Sequence, residues 1–183
     1  MTYTVHDLDT APEAAQETLA GAKRAFGFVP NLLAVMAEAP ALVKAYVTLS
    51  RIFEETSFSP TERQIVLLTT SFENDCDYCI AAHSIAAGMQ KVPGEVVQAI
   101  RDGQPIADPK LEALRRFTAA VVNSRGWPSQ ADTAAFASAG YGHQQVLEVV
   151  LGVGMKTLSN YTNHVAATPL DRAFASAAWS KAA

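Results

Sequence analysis

Apolar residues recur at intervals of three and four along most of this chain, which is the spacing of one face of an α-helix. We find no convincing segment that alternates apolar and polar residues, as half-buried strands do. The pattern therefore predicts an all-α fold of about eight to ten helices with no significant sheet. Two of the apolar stripes are Leu42, Tyr46, Leu49 and Phe53, and Val146, Val149, Val150 and Val153.

Prolines and short polar residues mark the predicted helix starts. Ser59, Asp108 and Thr168 each precede a proline and are candidate N-caps, because their side chains can accept hydrogen bonds from free backbone N–H groups. No long linker interrupts the pattern, so residues 1–183 are predicted to form one domain. The predicted helices cover residues 12–26, 30–37, 40–55, 60–74, 76–88, 93–102, 109–124, 128–139, 142–166 and 169–179.

The composition narrows the classes of partner. The chain is 49% hydrophobic and only 17% charged, which predicts a homo-oligomer because surplus apolar surface usually becomes an interface. The net charge is −4 and the basic residues are scattered, so nucleic acid is not an expected partner. The sequence has neither a secretion signal nor a membrane-length apolar run, and we therefore expect a cytoplasmic protein that does not enter the membrane.

The chemistry is concentrated in one short segment. The chain has only two cysteines, Cys76 and Cys79, with His83 four residues further on. On a helix capped by Asp75 these three side chains share one face. The positive end of the helix favours a thiolate, the two sulfurs are close enough for a disulfide, and an imidazole can relay a proton. The segment therefore predicts a thiol–disulfide redox site.

Two other interpretations of this segment remain open. Zinc could be bound by Cys76, Cys79 and His83, with His143 or His164 as a fourth ligand. A non-catalytic helical oligomer could use the same cysteines to sense oxidation.

The segment also resembles a known family. Leu67-Leu-Thr-Thr-Ser71 followed by Asp75-Cys-Asp-Tyr-Cys-Ile-Ala-Ala-His83 resembles the core motif of the alkylhydroperoxidase AhpD-like proteins of the carboxymuconolactone decarboxylase superfamily. Phe26-Gly-Phe-Val-Pro-Asn31 and Ser159-Asn-Tyr-Thr-Asn-His164 are similar to segments of the longer, peroxidase-related members. The resemblance covers residues 20 to 175, with the core motif in the region 60–90.

The resemblance implies an all-helical homo-trimer or homo-hexamer that reduces hydrogen peroxide or alkyl hydroperoxides. Cys79 would be the peroxidatic thiol, Cys76 the resolving thiol, and His83 part of a proton relay. The disulfide would be reduced by an external dithiol, and no flavin, haem or metal cofactor would be needed. A lyase of the carboxymuconolactone decarboxylase type is the alternative enzyme class, although that chemistry does not depend on a cysteine pair.

The chain departs from the family pattern at two positions. Gln64 stands where the family relay often has a glutamate, and Tyr78 stands where the best-known peroxidases have a histidine. A possible internal repeat suggests a carboxylate that could replace the missing glutamate. Glu148 lies twelve residues before Asn160, just as Gln64 lies twelve residues before Cys76. We therefore expect Gln64 and Glu148 as possible relay residues, and Gln64→Glu to quicken peroxide consumption if a carboxylate is what the site lacks.

Overall fold

The computed structural model describes residues 2–181 and confirms the all-α prediction. Within that range the chain forms nine α-helices and one 3-10 helix and contains no strand. None of these helices is long and apolar enough to cross a membrane. The helices are α1 (Glu13–Phe26), α2 (Asn31–Met36), α3 (Pro40–Glu54), α4 (Pro60–Glu73), α5 (Asp77–Met89), α6 (Gly94–Arg101), α7 (Pro109–Asn123), α8 (Gln130–Ser138) and α9 (His143–Ala166), and the 3-10 helix is Arg172–Ala177.

Two of the three predicted N-caps are confirmed. The Ser59 side chain accepts from the backbone N–H of Glu62 while the Glu62 carboxylate accepts from the backbone N–H of Ser59, which is a complete capping box at the start of α4. Asp108 accepts from two backbone N–H groups in the first turn of α7. These local signals fix where α4 begins, and α4 in turn positions the cysteine segment that follows it.

The predicted helix over 169–179 is wrong in extent and type. Only Arg172–Ala177 is helical, in the 3-10 form, and Thr168 is not an N-cap because its hydroxyl makes no hydrogen bond and Asp171 precedes the helix. The physical reason lies in Asp171. Its carboxylate accepts from the Asn31 backbone N–H and from the Tyr78 hydroxyl, so this segment is tied to α2 and α5 instead of starting an α-helix.

Helix α4 lies at the centre of the molecule. Its eight consecutive residues from Gln64 to Ser71 are all buried, and it packs against α5, α6, α7 and α9. A second hydrophobic cluster joins α1, α2 and the start of α3 to the first turn of α5. Cys76 and Cys79 belong to this second cluster, whereas Ile80 belongs to the larger cluster around α4, so the cysteine segment lies where the two clusters meet.

Close packing of α9 on α3 and α4 depends on Gly152. A Cβ added there would lie 2.7 Å from Val66 and 2.8 Å from Phe53, which is closer than any real contact. Gly152→Ala is therefore expected to lower the free energy of unfolding by about 1–3 kcal/mol. Gly154, in the same helix, has nothing within 4 Å of such an atom. The control Gly154→Ala should raise the free energy of unfolding by about 0.5–1 kcal/mol, and urea unfolding of both variants measures the difference.

The opposite face of α9 is apolar and open to solvent. Its exposed large residues are Leu147, Val150, Tyr161 and Val165, which are between 51% and 70% exposed. The sequence places Val150 in one apolar stripe with Val146, Val149 and Val153, but its side chain is exposed to solvent. An exposed apolar face of this length is a candidate contact surface between copies of the chain. The homo-trimer or homo-hexamer itself stays a prediction, as does the single domain over residues 1–183.

Candidate functional site

The cysteine segment begins immediately after α4. The backbone N–H of Cys76 donates to Ser71 O (2.9 Å), which turns the chain back from the end of α4 into α5. The predicted cap at Asp75 is wrong: Cys76 is the N-cap residue, and Asp75 has a positive φ of 54° in the turn between the two helices. Cys79 is therefore the third residue of α5, in the first turn, where unpaired N–H groups favour a negative sulfur.

Both sulfurs are free thiols buried against α9. Cys76 is 0% and Cys79 1% exposed. The side-chain amide of Asn163 donates to both, at 3.2 Å from Cys79 Sγ and 3.7 Å from Cys76 Sγ. The Ser159 hydroxyl oxygen lies 3.8 Å from Cys79 Sγ. Two successive turns of α9 thus present polar groups to the cysteine pair.

A buried lysine extends this polar face of α9. Lys156 is 0% exposed and lies one turn before Ser159, so it is directed to the same side of the helix. Within residues 2–181 its ammonium group makes no hydrogen bond of good geometry and no ion pair with a carboxylate. The charge does lie close enough to Cys79 for each group to shift the pKa of the other.

The surroundings push the pKa values of the two cysteines apart. Burial alone raises the pKa of Cys79, but the hydrogen bond from the Cys76 thiol and the positive charge of Lys156 outweigh it and hold that pKa well below its usual range. The hydrogen bond to Cys79, together with burial, raises the pKa of Cys76 well above its usual range. These surroundings therefore favour the thiolate at Cys79 over the thiolate at Cys76.

His83 lies one turn beyond Cys79 and is half-buried. Its Nδ1 lies 3.1 Å from Gln64 Oε1, while Gln64 Nε2 donates to Gln90 Oε1 (3.2 Å), so the Gln64 oxygen accepts and His83 Nδ1 carries the hydrogen. Burial and the nearby charge of Lys156 hold the pKa of His83 well below its usual value. His83 is therefore neutral at pH 7, with a lone pair on Nε2 that can accept a proton.

Other residues proposed from the sequence lie elsewhere. Glu148 accepts hydrogen bonds from Ser57 and Gln144 and so ties α9 to the loop before α4, outside the cysteine site. His143 and His164 are both exposed on α9, whereas the sulfurs are buried. Among residues 2–181, no three His, Cys, Asp or Glu side chains are grouped as metal ligands. The structure places Cys76 and Cys79 against Asn163, and His83 against Gln64, while Glu148 bonds elsewhere.

Sequence reasoning missed the polar face of α9. Lys156, Ser159 and Asn163 are separated by three and four residues in a helix that is otherwise largely apolar, and this spacing was the available signal. In the sequence, the segment Ser159-Asn-Tyr-Thr-Asn-His164 indicates a resemblance to family members but no contact of Ser159 or Asn163 with the cysteines. Its contribution to the site becomes evident when α9 packs against α5.

Comparisons with known proteins agree with this geometry. Residues 38–120 match the model of the carboxymuconolactone decarboxylase family, a match that contains the whole Cys-x-x-Cys-x-x-x-His segment. No curated protein matches this chain.

Solved structures of about 20% identity share the fold. A peroxidase-related protein from Ralstonia eutropha, described as an alkylhydroperoxidase AhpD core, has a TM-score of 0.83 at 20% identity, covering 94% of this chain and 93% of that chain. A peroxidase-related protein from a Silicibacter species has a TM-score of 0.79 at 19% identity, with the same coverage.

A third solved structure is the debrominase Bmp8, as a cysteine-to-alanine variant in complex with 2,3,4-tribromopyrrole. It has a TM-score of 0.80 at 18% identity and covers 97% of this chain and 95% of that chain. The family match over the cysteine segment, together with the shared helical fold, supports the resemblance of this chain to the AhpD-like proteins of the carboxymuconolactone decarboxylase superfamily.

Proposed function

We propose that the protein is a thiol-dependent peroxidase in which Cys79 attacks the peroxide and Cys76 resolves the product. The observation that carries this proposal is the contact of Asn163 with both sulfurs, at 3.2 and 3.7 Å, beside the buried charge of Lys156. These groups stabilise a negative sulfur at Cys79, which is the form of cysteine that reacts with peroxides.

The reaction proceeds in two steps. The Cys79 thiolate attacks the terminal peroxide oxygen, so that an S–O bond forms, the O–O bond breaks, and the alkoxide takes up a proton to leave as the alcohol. The Cys76 sulfur then attacks the Cys79 sulfenic acid. An S–S bond forms, the S–O bond breaks, and the hydroxide leaves as water with the Cys76 proton. An external dithiol returns the pair to the reduced state.

The burial of both sulfurs restricts the substrate. Because Cys79 is 1% exposed, a peroxide reaches it only when the surrounding side chains move, and small peroxides require the smallest movement. We therefore propose hydrogen peroxide and small alkyl hydroperoxides as substrates. Since a debrominase shares the fold, 2,3,4-tribromopyrrole is a useful second compound to assay.

The lyase alternative is less well supported. That chemistry does not use a cysteine pair, whereas here the α9 side chains of Asn163 and Ser159 contact the sulfurs. Zinc binding is also less well supported, because the candidate fourth ligands His143 and His164 are exposed on α9 whereas both sulfurs are buried. The external dithiol is proposed only by its chemical class.

Thiol counting tests the proposed function. Reduced protein is treated with one equivalent of hydrogen peroxide or tert-butyl hydroperoxide, denatured, and titrated for free thiols. We expect two thiols to disappear for each peroxide consumed, and a dithiol to restore both. Thiols that persist in excess peroxide would contradict the proposal, and purification without chelator followed by metal analysis would then test the zinc alternative.

A further inference from the structure

The proposed reaction needs a proton that the cysteine pair does not supply. The pair starts as one thiolate and one thiol, and the single thiol proton leaves with the hydroxide in the second step. The alkoxide formed in the first step must therefore be protonated by another group. Because both sulfurs are buried, that group is expected within the site itself.

Most of the neighbouring groups are poor donors. His83 is neutral, and its only ring hydrogen is on Nδ1, where it is donated to Gln64. Tyr46 faces Lys156 and Ser159 from α3, and burial raises the pKa of its phenol. Gln64 and Asn163 are amides and do not release protons at neutral pH. Lys156 remains, with an ammonium group that is fully buried and has no hydrogen-bond partner of good geometry.

Lys156 is held in its charged form by the same anion that the reaction consumes. Burial lowers the pKa of Lys156, but the negative charge of the Cys79 thiolate acts in the opposite direction, and the pKa is raised. When Cys79 enters a disulfide, its charge disappears and the burial remains. An unpaired buried ammonium is unfavourable, so the lysine is driven to release its proton.

Resting on the proposed function, we propose that Lys156 is both the counter-ion of the Cys79 thiolate and the proton source that accompanies disulfide formation. Lys156 thereby takes the role of the glutamate that the family relay often has at the position of Gln64. The overall step is then balanced: thiolate, thiol, ammonium and ROOH give disulfide, neutral amine, ROH and water. The buried site has no net charge in either state.

Two measurements test this assignment. The first is thiolate absorbance at 240 nm, for which the matched control is Lys44→Met, the same change at an exposed lysine of α3. In the wild type and Lys44→Met we expect one thiolate per chain at pH 7. In Lys156→Met the thiolate signal at pH 7 should fall at least about tenfold and return only at higher pH. An unchanged signal in Lys156→Met would overturn the assignment.

The second measurement counts protons in the wild type, so it does not depend on the folding of any variant. Reduced protein in weakly buffered solution at pH 7 is oxidised with diamide, and an indicator dye follows proton uptake. If Lys156 supplies its proton, no proton is taken up from solution for each disulfide formed. Uptake of one proton for each disulfide, from a protein that shows the thiolate absorbance, would mean that Lys156 stays charged and would overturn the assignment.

Diamide separates this inference from the proposed function. It oxidises a thiol pair whether or not the protein reacts with peroxides. A chain that forms the disulfide with diamide but not with peroxide would refute the peroxidase and leave the role of Lys156 standing. A chain that reacts with peroxide, and whose thiolate is unaffected by Lys156→Met, would refute only the role of the lysine.

Discussion

Replacing Cys79 with serine is expected to reduce the rate of peroxide-driven oxidation by about a hundredfold or more, to that of an unactivated thiol. The remaining Cys76 has a thiol whose pKa is raised in the intact site, and Cys76 lies further from the Asn163 amide than Cys79 does. Stopped-flow measurement of peroxide consumption over the first turnover gives the comparison. Comparable rates in Cys79→Ser and the wild type would show that Cys79 is not the thiol that reacts.

The matched variant is Cys76→Ser, which removes the other sulfur at a separation of three residues. Here the first step should persist and the second should fail, so one peroxide is consumed and no disulfide forms. Because the chain has only two cysteines, the double variant provides the background rate. A Cys76→Ser variant that turned over repeatedly with a dithiol would remove the resolving role of Cys76.

Gln64→Glu is expected to slow peroxide consumption by about tenfold at neutral pH, the opposite of the effect predicted from the sequence alone. The new carboxylate would lie where Gln64 Oε1 now lies, 3.1 Å from His83 Nδ1. A second buried anion competes with Cys79 for the charge of Lys156, so the pKa of the Cys79 thiol rises and the thiolate fraction falls. First-turnover rates between pH 6 and 9 measure the effect, and the deficit should shrink as the pH rises.

Gln64→Met is the control, because it removes the hydrogen bond to His83 without adding a charge. We expect it to be faster than Gln64→Glu at pH 7. A Gln64→Glu variant faster than the wild type would restore the expectation that a carboxylate is what this site lacks, and would count against Lys156 as its substitute.

The helices were largely predictable because their signals are local. Apolar spacing, the Ser59 capping box and the prolines at the starts of α3, α4 and α7 each depend on neighbours within a few residues. The wrongly predicted helix near the end of the chain involves distant partners. Asp171 is 140 residues from Asn31, and their hydrogen bonds divert the segment that was predicted to be a helix over 169–179.

In the candidate site, too, the features set by neighbouring residues were predictable and those set by distant residues were not. Cys79 and His83 lie four residues apart in α5 and Cys76 is its N-cap, so the spacing alone predicts that they are neighbours. Lys156, Ser159 and Asn163 come from a helix more than 70 residues further along the chain, and only packing shows that they meet the sulfurs. Glu148 was wrongly expected at the cysteine site. The equal spacing of Gln64 from Cys76 and of Glu148 from Asn160 does not indicate which side of α9 faces α5.

Trapping the first oxidised product tests the central claim most directly. The Cys76→Ser variant is treated with one equivalent of hydrogen peroxide, quenched in acid, denatured, labelled with a reagent specific for sulfenic acids, and mapped by peptide mass spectrometry. The account predicts a stoichiometric label on the peptide that contains Cys79. An unlabelled, still reduced Cys79 after peroxide treatment would contradict it.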